Sequence, residues 1–201
     1  MRKAINHLKS ADPVIAALLD RIGPYRIQYR EPVFETLVRS IVFQQLNGRA
    51  ALTIFQRFAD ACGNGGVTPQ TVLKMRIPRM RSAGLSPQKA TYIRDLARRT
   101  HKGEIDFEAL PALPDEEILA RLLPVKGVGV WTVQMFLIFA LRRRDVLPTA
   151  DLGIRAAMQR AYQLPALPKP PEMEQLAAAW RPFRTIACWY LWRSLDNQAG
   201  I

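Results

Sequence analysis

Residues 122–132 read Leu-Leu-Pro-Val-Lys-Gly-Val-Gly-Val-Trp-Thr. An apolar run at helical spacing precedes them over residues 115–123, carried by Ile118, Leu119, Leu122 and Leu123. A second run, over residues 130–141, follows the turn. It is apolar nearly all round (Val133, Met135, Phe136, Leu137, Ile138, Phe139, Ala140, Leu141), which marks a central helix rather than a peripheral one. Gly127 and Gly129 lie in the turn between them. Glycine permits positive φ there and lets the backbone approach a ligand with no Cβ in the way. The amides of Gly129 and its successors open a helix, where the dipole favours an anion such as a phosphate. An ordinary glycine corner between two helices has the same spelling. No GxxxxGK[ST] run occurs, so this is not a nucleotide P-loop.

Downstream, Arg142-Arg143-Arg144 closes the apolar helix, and Leu147-Pro148-Thr149-Ala150-Asp151-Leu152-Gly153-Ile154-Arg155 brings an acidic residue to the start of the next. Asp151 fits a helix N-cap as it stands. Upstream, residues 31–46 carry one stripe, Phe34, Leu37, Val38, Ile41 and Val42, with Pro32 suited to a first turn. Gly48 interrupts it, residues 50–62 resume, and Gly63-Asn64-Gly65-Gly66 stops that run. Short helices are expected at 69–75 and from Pro78 to Gly84, then a stronger one at 88–100 opened by Ser86-Pro87. Helices at 151–162, 172–180 and 184–195 complete the chain around a proline-rich surface connection, 164–171. No segment alternates at period two, and the expectation is an all-α fold.

Of the 201 residues, 49% are hydrophobic, too many for a disordered chain, and the formal net charge is +12. So large a basic excess points to a polyanionic partner, usually duplex DNA or RNA. The opening MRKAINHLKS does not read as a secretory signal, and nothing approaches the roughly 20 apolar residues of a membrane span. Cys62 and Cys188 form no CxxC pair, and with two histidines a metal centre from these side chains is not expected.

Hairpin, apolar helix and Asp-Leu-Gly-Ile-Arg, in this order and spacing, resemble the helix-hairpin-helix DNA glycosylase superfamily, and most closely its 3-methyladenine DNA glycosylase II branch. VKGVGVWTVQMFLIFALRRRDVLPTADLGIR carries the likeness, with weaker echoes in SIVFQQLNGRAA, AGLSPQKATYIRDLA and WRPFRTIACWYLWR. The resemblance implies one glycosylase domain over residues 1–201, with two helical subdomains flanking a cleft: 34–123, and 1–33 together with 124–201. It implies a monofunctional enzyme that hydrolyses the N-glycosidic bond of alkylated purines in base excision repair. A glycosylase for mismatched or oxidised bases, or a non-catalytic DNA-binding module, are the alternatives.

Carried onto this chain, the resemblance makes Asp151 the catalytic carboxylate, a fixed anion for the positive charge that grows on the sugar as the base departs. Trp131 occupies the slot that holds a Schiff-base lysine in lyase-competent members, so no lyase activity is expected. As a buried tryptophan it would stack on the extruded base, with Trp192 and Met135 as further pocket walls; Met135 departs from a position that is often tyrosine. Gln44, Gln45 and Leu46 form the corner that fills the gap left by that base, with either Gln45 or Leu46 as the filling side chain. Gly127, Val128, Gly129, Val130, Trp131 and Thr132 would bind the DNA backbone. The carbonyls of Leu123, Val125 and Val128 would hold a monovalent cation, the only metal implied. The iron–sulfur cluster of other members needs four C-terminal cysteines, which this sequence does not have. The expected partner is damaged double-stranded DNA, bound by a monomer in the cytoplasm of a bacterial-type cell or in a nucleus.

Overall fold

A computed structural model describes residues 1–196 and assigns them twelve α-helices and no strand, so the described chain is all-α. Residues 197–201 of the expected domain lie outside the described residues. Two compact units emerge: Met1–Tyr29 together with the described chain from Leu137 onward, and Arg30–Phe136. The division falls inside the helix that follows the glycine turn. The hairpin therefore groups with the central segment, not with the termini as the subdomain bounds drawn from the resemblance had it. Its ties explain this: main-chain groups of the turn are bonded to side chains of Gln44 and Asp95.

The central unit contains α3 (Phe34–Phe43), α4 (Gly48–Cys62), α5 (Pro69–Lys74), α6 (Ile77–Ser82), α7 (Pro87–His101) and α8 (Asp115–Leu122), and it ends within α9 (Val130–Phe139). The stripe of α3 is fully buried at Leu37, Val38, Ile41 and Val42, and α7 contributes Ile93 and Leu96. Helix α3 packs on both α4 and α7. It is shorter than the expected 31–46: Pro32 lies before it, and the chain leaves the helix at Gln44. Gly48 does not interrupt a helix but begins one, because the Asn47 side chain accepts the Ala50 amide at 2.9 Å. Ser86 caps α7 with Pro87 at its first position, as the sequence predicts.

The terminal unit contains α1 (Arg2–Ala11), α2 (Pro13–Ile22), α10 (Leu152–Ala161), α11 (Pro170–Leu176) and α12 (Arg184–Asp196), packed round Trp180 and Tyr190. Helices α1 and α2 were not expected from the sequence. Leu8, Ile15, Leu18 and Leu19 bury their inner faces, and Asp12-Pro13 is the cap-then-proline signal that marks the start of α2. Asp12 also receives Trp180 Nε1 at 2.8 Å and the Tyr162 hydroxyl, so its buried carboxylate is fully employed. Asp145 accepts the Arg184 main-chain amide at 3.1 Å and its Nε at 2.8 Å, fixing the start of α12. The expected 172–180 helix divides into α11 and a tight 3₁₀ turn, Ala177–Trp180. Helix α9 stops at Phe139 rather than Leu141, and Arg142 takes φ +57, so the three arginines lie beyond the helix instead of closing it.

Candidate active site

In the central unit the hairpin turn is built from short-range bonds: Val125 N to Leu122 O at 3.1 Å, and Val128 N to Val125 O at 3.0 Å. Gly127 has φ +76, and a Cβ there would lie 2.0 Å from the Tyr92 ring. Only glycine meets both conditions. At Gly129 a Cβ would meet nothing within 4 Å, so that backbone faces open space. Side chains from just beyond α3 and from within α7 hold the turn. Gln44 Nε2 donates to Gly127 O at 2.8 Å and to Thr132 Oγ1 at 3.4 Å, and Asp95 accepts the Lys126 amide at 3.0 Å. Within the stretch that the resemblance assigns to DNA, Val128 and Thr132 bury their side chains, which leaves only their main chain to meet a ligand. Val130 and Trp131 are exposed, and Trp131, at 41%, is not the buried tryptophan expected.

A cavity of about 670 Å³ opens beside this turn, with Gln44, Gln45, Gly129, Trp131 and Met135 among its lining residues. The structure thus brings together, within one unit, five of the side chains singled out in the sequence: Gln44, Gln45, Trp131, Thr132 and Met135. Leu46 does not line the cavity but stands 40% exposed on the same corner, next to Gln45, whose φ is +57.

In the terminal unit Asp151 is 9% exposed and caps α10, its Oδ1 accepting the Ile154 amide at 2.8 Å. The same oxygen accepts Trp192 Nε1 at 2.9 Å, and the Trp192 ring stacks on Phe139 with centroids 5.8 Å apart. Two donors therefore orient the carboxylate. Gly153 makes room for the arrangement, since a Cβ there would lie 3.1 Å from Asp151 Oδ1 and 3.3 Å from the indole. Burial pushes the neighbouring Cys188 thiol up, and the Asp151 charge pushes it the same way, so this cysteine is an inert core residue. Asp151 and Trp192 are adjacent, and the indole is engaged as a donor to the acid as well as a ring.

Asp95 is a site residue that sequence reading missed. Burial raises its carboxyl, but the Lys126 amide, Arg98 and Arg99 outweigh burial and bring it down to about 2. Its pairing with arginines three and four residues on was visible in the sequence; its bond to the hairpin was not. No group of three or more His, Cys, Asp or Glu side chains among the described residues is placed to hold a metal ion.

A family model described as HhH-GPD superfamily base excision DNA repair protein matches residues 38–182. The chain is 37% identical over 200 residues to DNA-3-methyladenine glycosylase 1 of Schizosaccharomyces pombe, covering 96% of this chain and 87% of that protein. A putative DNA-3-methyladenine glycosylase of Bacillus subtilis is 34% identical, over 82% of this chain and 59% of its own length. Among solved structures, the S. pombe 3-methyladenine DNA glycosylase in complex with abasic DNA superposes with TM-score 0.86 over 96% of this chain and 97% of that one. The DNA-3-methyladenine glycosidase of Bacillus halodurans, 29% identical, gives 0.87 over 98% and 90%. With its hairpin, its capped aspartate and these likenesses, the chain belongs to the HhH-GPD superfamily of base excision DNA repair proteins, in the 3-methyladenine DNA glycosylase branch.

Proposed function

We propose that this protein is a type II alkylpurine DNA glycosylase, a hydrolase that releases 3-methyladenine, 7-methylguanine and related bases from duplex DNA and has no lyase activity. The observation that carries the reading is the Asp151 carboxylate, fixed by Ile154 N and Trp192 Nε1 on one oxygen. A preorganised anion lowers the barrier by meeting charge that develops only as the glycosidic bond breaks, and it orients the water that attacks the sugar. Trp131, in the slot of the Schiff-base lysine, has no amine to offer, so the enzyme cuts the base bond and leaves the backbone alone.

The α9 N-terminus around Gly129 grips a phosphate through main-chain amides, without reading sequence. Gln45 and Leu46 enter the space of the extruded nucleotide. Trp131 and Met135 of the central unit, and Trp192 of the terminal unit, are each π-rich or polarisable side chains of the kind that suits bases made electron-poor by alkylation. The carbonyls of Leu123, Val125 and Val128 are neutral oxygen donors of the kind a hard cation takes. Val125 O already accepts one amide and keeps a second lone pair, so the set fits a monovalent ion that would add positive charge beneath a phosphate. The enzyme acts as a monomer in the compartment that holds the DNA. Among the described residues, no helix is long and apolar enough to cross a membrane.

Incubation with methylated duplex DNA, followed by chromatography of free bases, tests the reading. Release of 3-methyladenine or 7-methylguanine is the expected result. No release from any damaged duplex, with DNA binding intact, overturns it. Borohydride is expected to trap no covalent adduct with damaged DNA; a trapped adduct would show lyase chemistry and refute the role given to Trp131.

A further inference from the structure

Lys89 stands in the first turn of α7, the end of a helix where a positive charge is disfavoured by the dipole. Its ammonium is not paired with a carboxylate among the described residues. It donates instead to two main-chain carbonyls at the far end of α3, Val42 O at 2.7 Å and Gln44 O at 2.6 Å. The charge is thus at the wrong end of its own helix and at the favourable, C-terminal end of its neighbour. Burial also lowers the lysine's pKa, a cost that its contacts must offset.

The segment it holds is otherwise loosely tied. Gln44 N reaches Ile41 O at 3.4 Å and Leu46 N reaches Phe43 O at 3.3 Å, both long for amide bonds. Gln44 leaves the helix, Gln45 takes a left-handed φ of +57, and the exposed Leu46 follows. The Gln44 side chain meanwhile reaches the hairpin at Gly127 O. The two short lysine bonds are therefore what fixes the path of the main chain at this corner.

We propose that Lys89 is a positioning residue for the reaction: by pinning Val42 and Gln44 it presets Gln45 and Leu46 to occupy the space of an extruded nucleotide. This rests on the corner's role in the proposed function. Presetting the corner removes an ordering cost that would otherwise fall on the extrusion step.

The test compares one alkylated base in a fully paired duplex with the same base in an unpaired bulge, where little stacking opposes extrusion. Single-turnover release is measured, together with 2-aminopurine emission beside the lesion as a signal of unstacking. Lys89→Met is expected to slow release from the paired duplex about tenfold, with lower emission, and to change release from the bulge less than about threefold. Lys89→Arg, which keeps a cationic donor, is expected to recover most of the loss. Equal slowing on both substrates, no slowing on either, or an arginine variant no better than methionine would overturn the proposal. If Lys89→Met does not fold, Lys89→Gln takes its place with the same criteria. Should Gln45→Ala with Leu46→Ala leave the paired-to-bulged ratio unchanged, the corner's role fails and this proposal with it. Should the unaltered protein release no base from either substrate, it is the proposed function that fails.

Discussion

At the scale of single residues, the proposed mechanism has Asp151 answer two needs with one carboxylate. Its position ahead of Leu-Gly-Ile-Arg was legible as a helix cap, and the structure shows that cap made. What the sequence did not show is that Trp192, 41 positions later, donates to the same oxygen. Replacement of Asp151 by Asn keeps size and capping capacity but removes the charge. We expect Asp151→Asn to abolish base release while duplex affinity, measured by fluorescence anisotropy, stays within about threefold, because phosphate contacts dominate affinity. Normal release by that variant would refute the mechanism. Trp192→Phe retains a ring against Phe139 and deletes the donor. A hydrogen bond to a charged group contributes about 1.5–3 kcal/mol, so single-turnover release is expected to fall roughly 10- to 100-fold. An unchanged rate would leave the indole a packing residue only.

At the scale of elements, the hairpin separates its two glycines by role. The sequence showed both; only the packing distinguishes them, since Tyr92 crowds Gly127 and nothing crowds Gly129. Gly127→Ala is expected to destabilise the protein by about 1–3 kcal/mol or more from strain and overlap, read as a lower melting temperature. Gly129→Ala is expected to melt near the unaltered protein yet bind duplex DNA more weakly, as its methyl group intrudes where a phosphate approaches. If Gly129→Ala binds normally, the phosphate does not sit there. Asp95 fastens the same turn from α7 and gives it a pH signature. Its folded-state carboxyl, at about 2, lies below the usual aspartate value near 3.9, so its contribution is complete above that value and fades as pH falls towards 2. Melting curves of Asp95→Asn and the unaltered protein should therefore differ at neutral pH and converge in acid. A gap that persists undiminished at pH near 2 would contradict this account.

At the scale of the whole molecule, charge is unevenly spread. Between Glu35 and Asp95 the one acidic residue is Asp60, against Arg39, Arg49, Arg57, Lys74, Arg76, Arg79, Arg81, Lys89 and Arg94. With a net charge of +12, duplex affinity should fall steeply with salt, by about 0.9 in log K per log unit of salt for each phosphate contacted. A salt-insensitive affinity, measured by titration across ionic strengths, would count against backbone binding. The sequence by itself determined the all-α class, the hairpin, and the residue at the head of α10. These depend on helical periodicity, glycine chemistry and capping, which are set by near neighbours. It did not reveal α1 and α2, whose short stripes gain meaning only against Trp180 and Tyr190. Only the tertiary structure decided that Asp95 holds Lys126, that Lys89 holds the end of α3, that Trp192 holds Asp151, and that the hairpin groups with the central unit. Each of these is a bond or packing between residues far apart along the chain. Their geometry is fixed by how helices pack, and no local pattern encodes it.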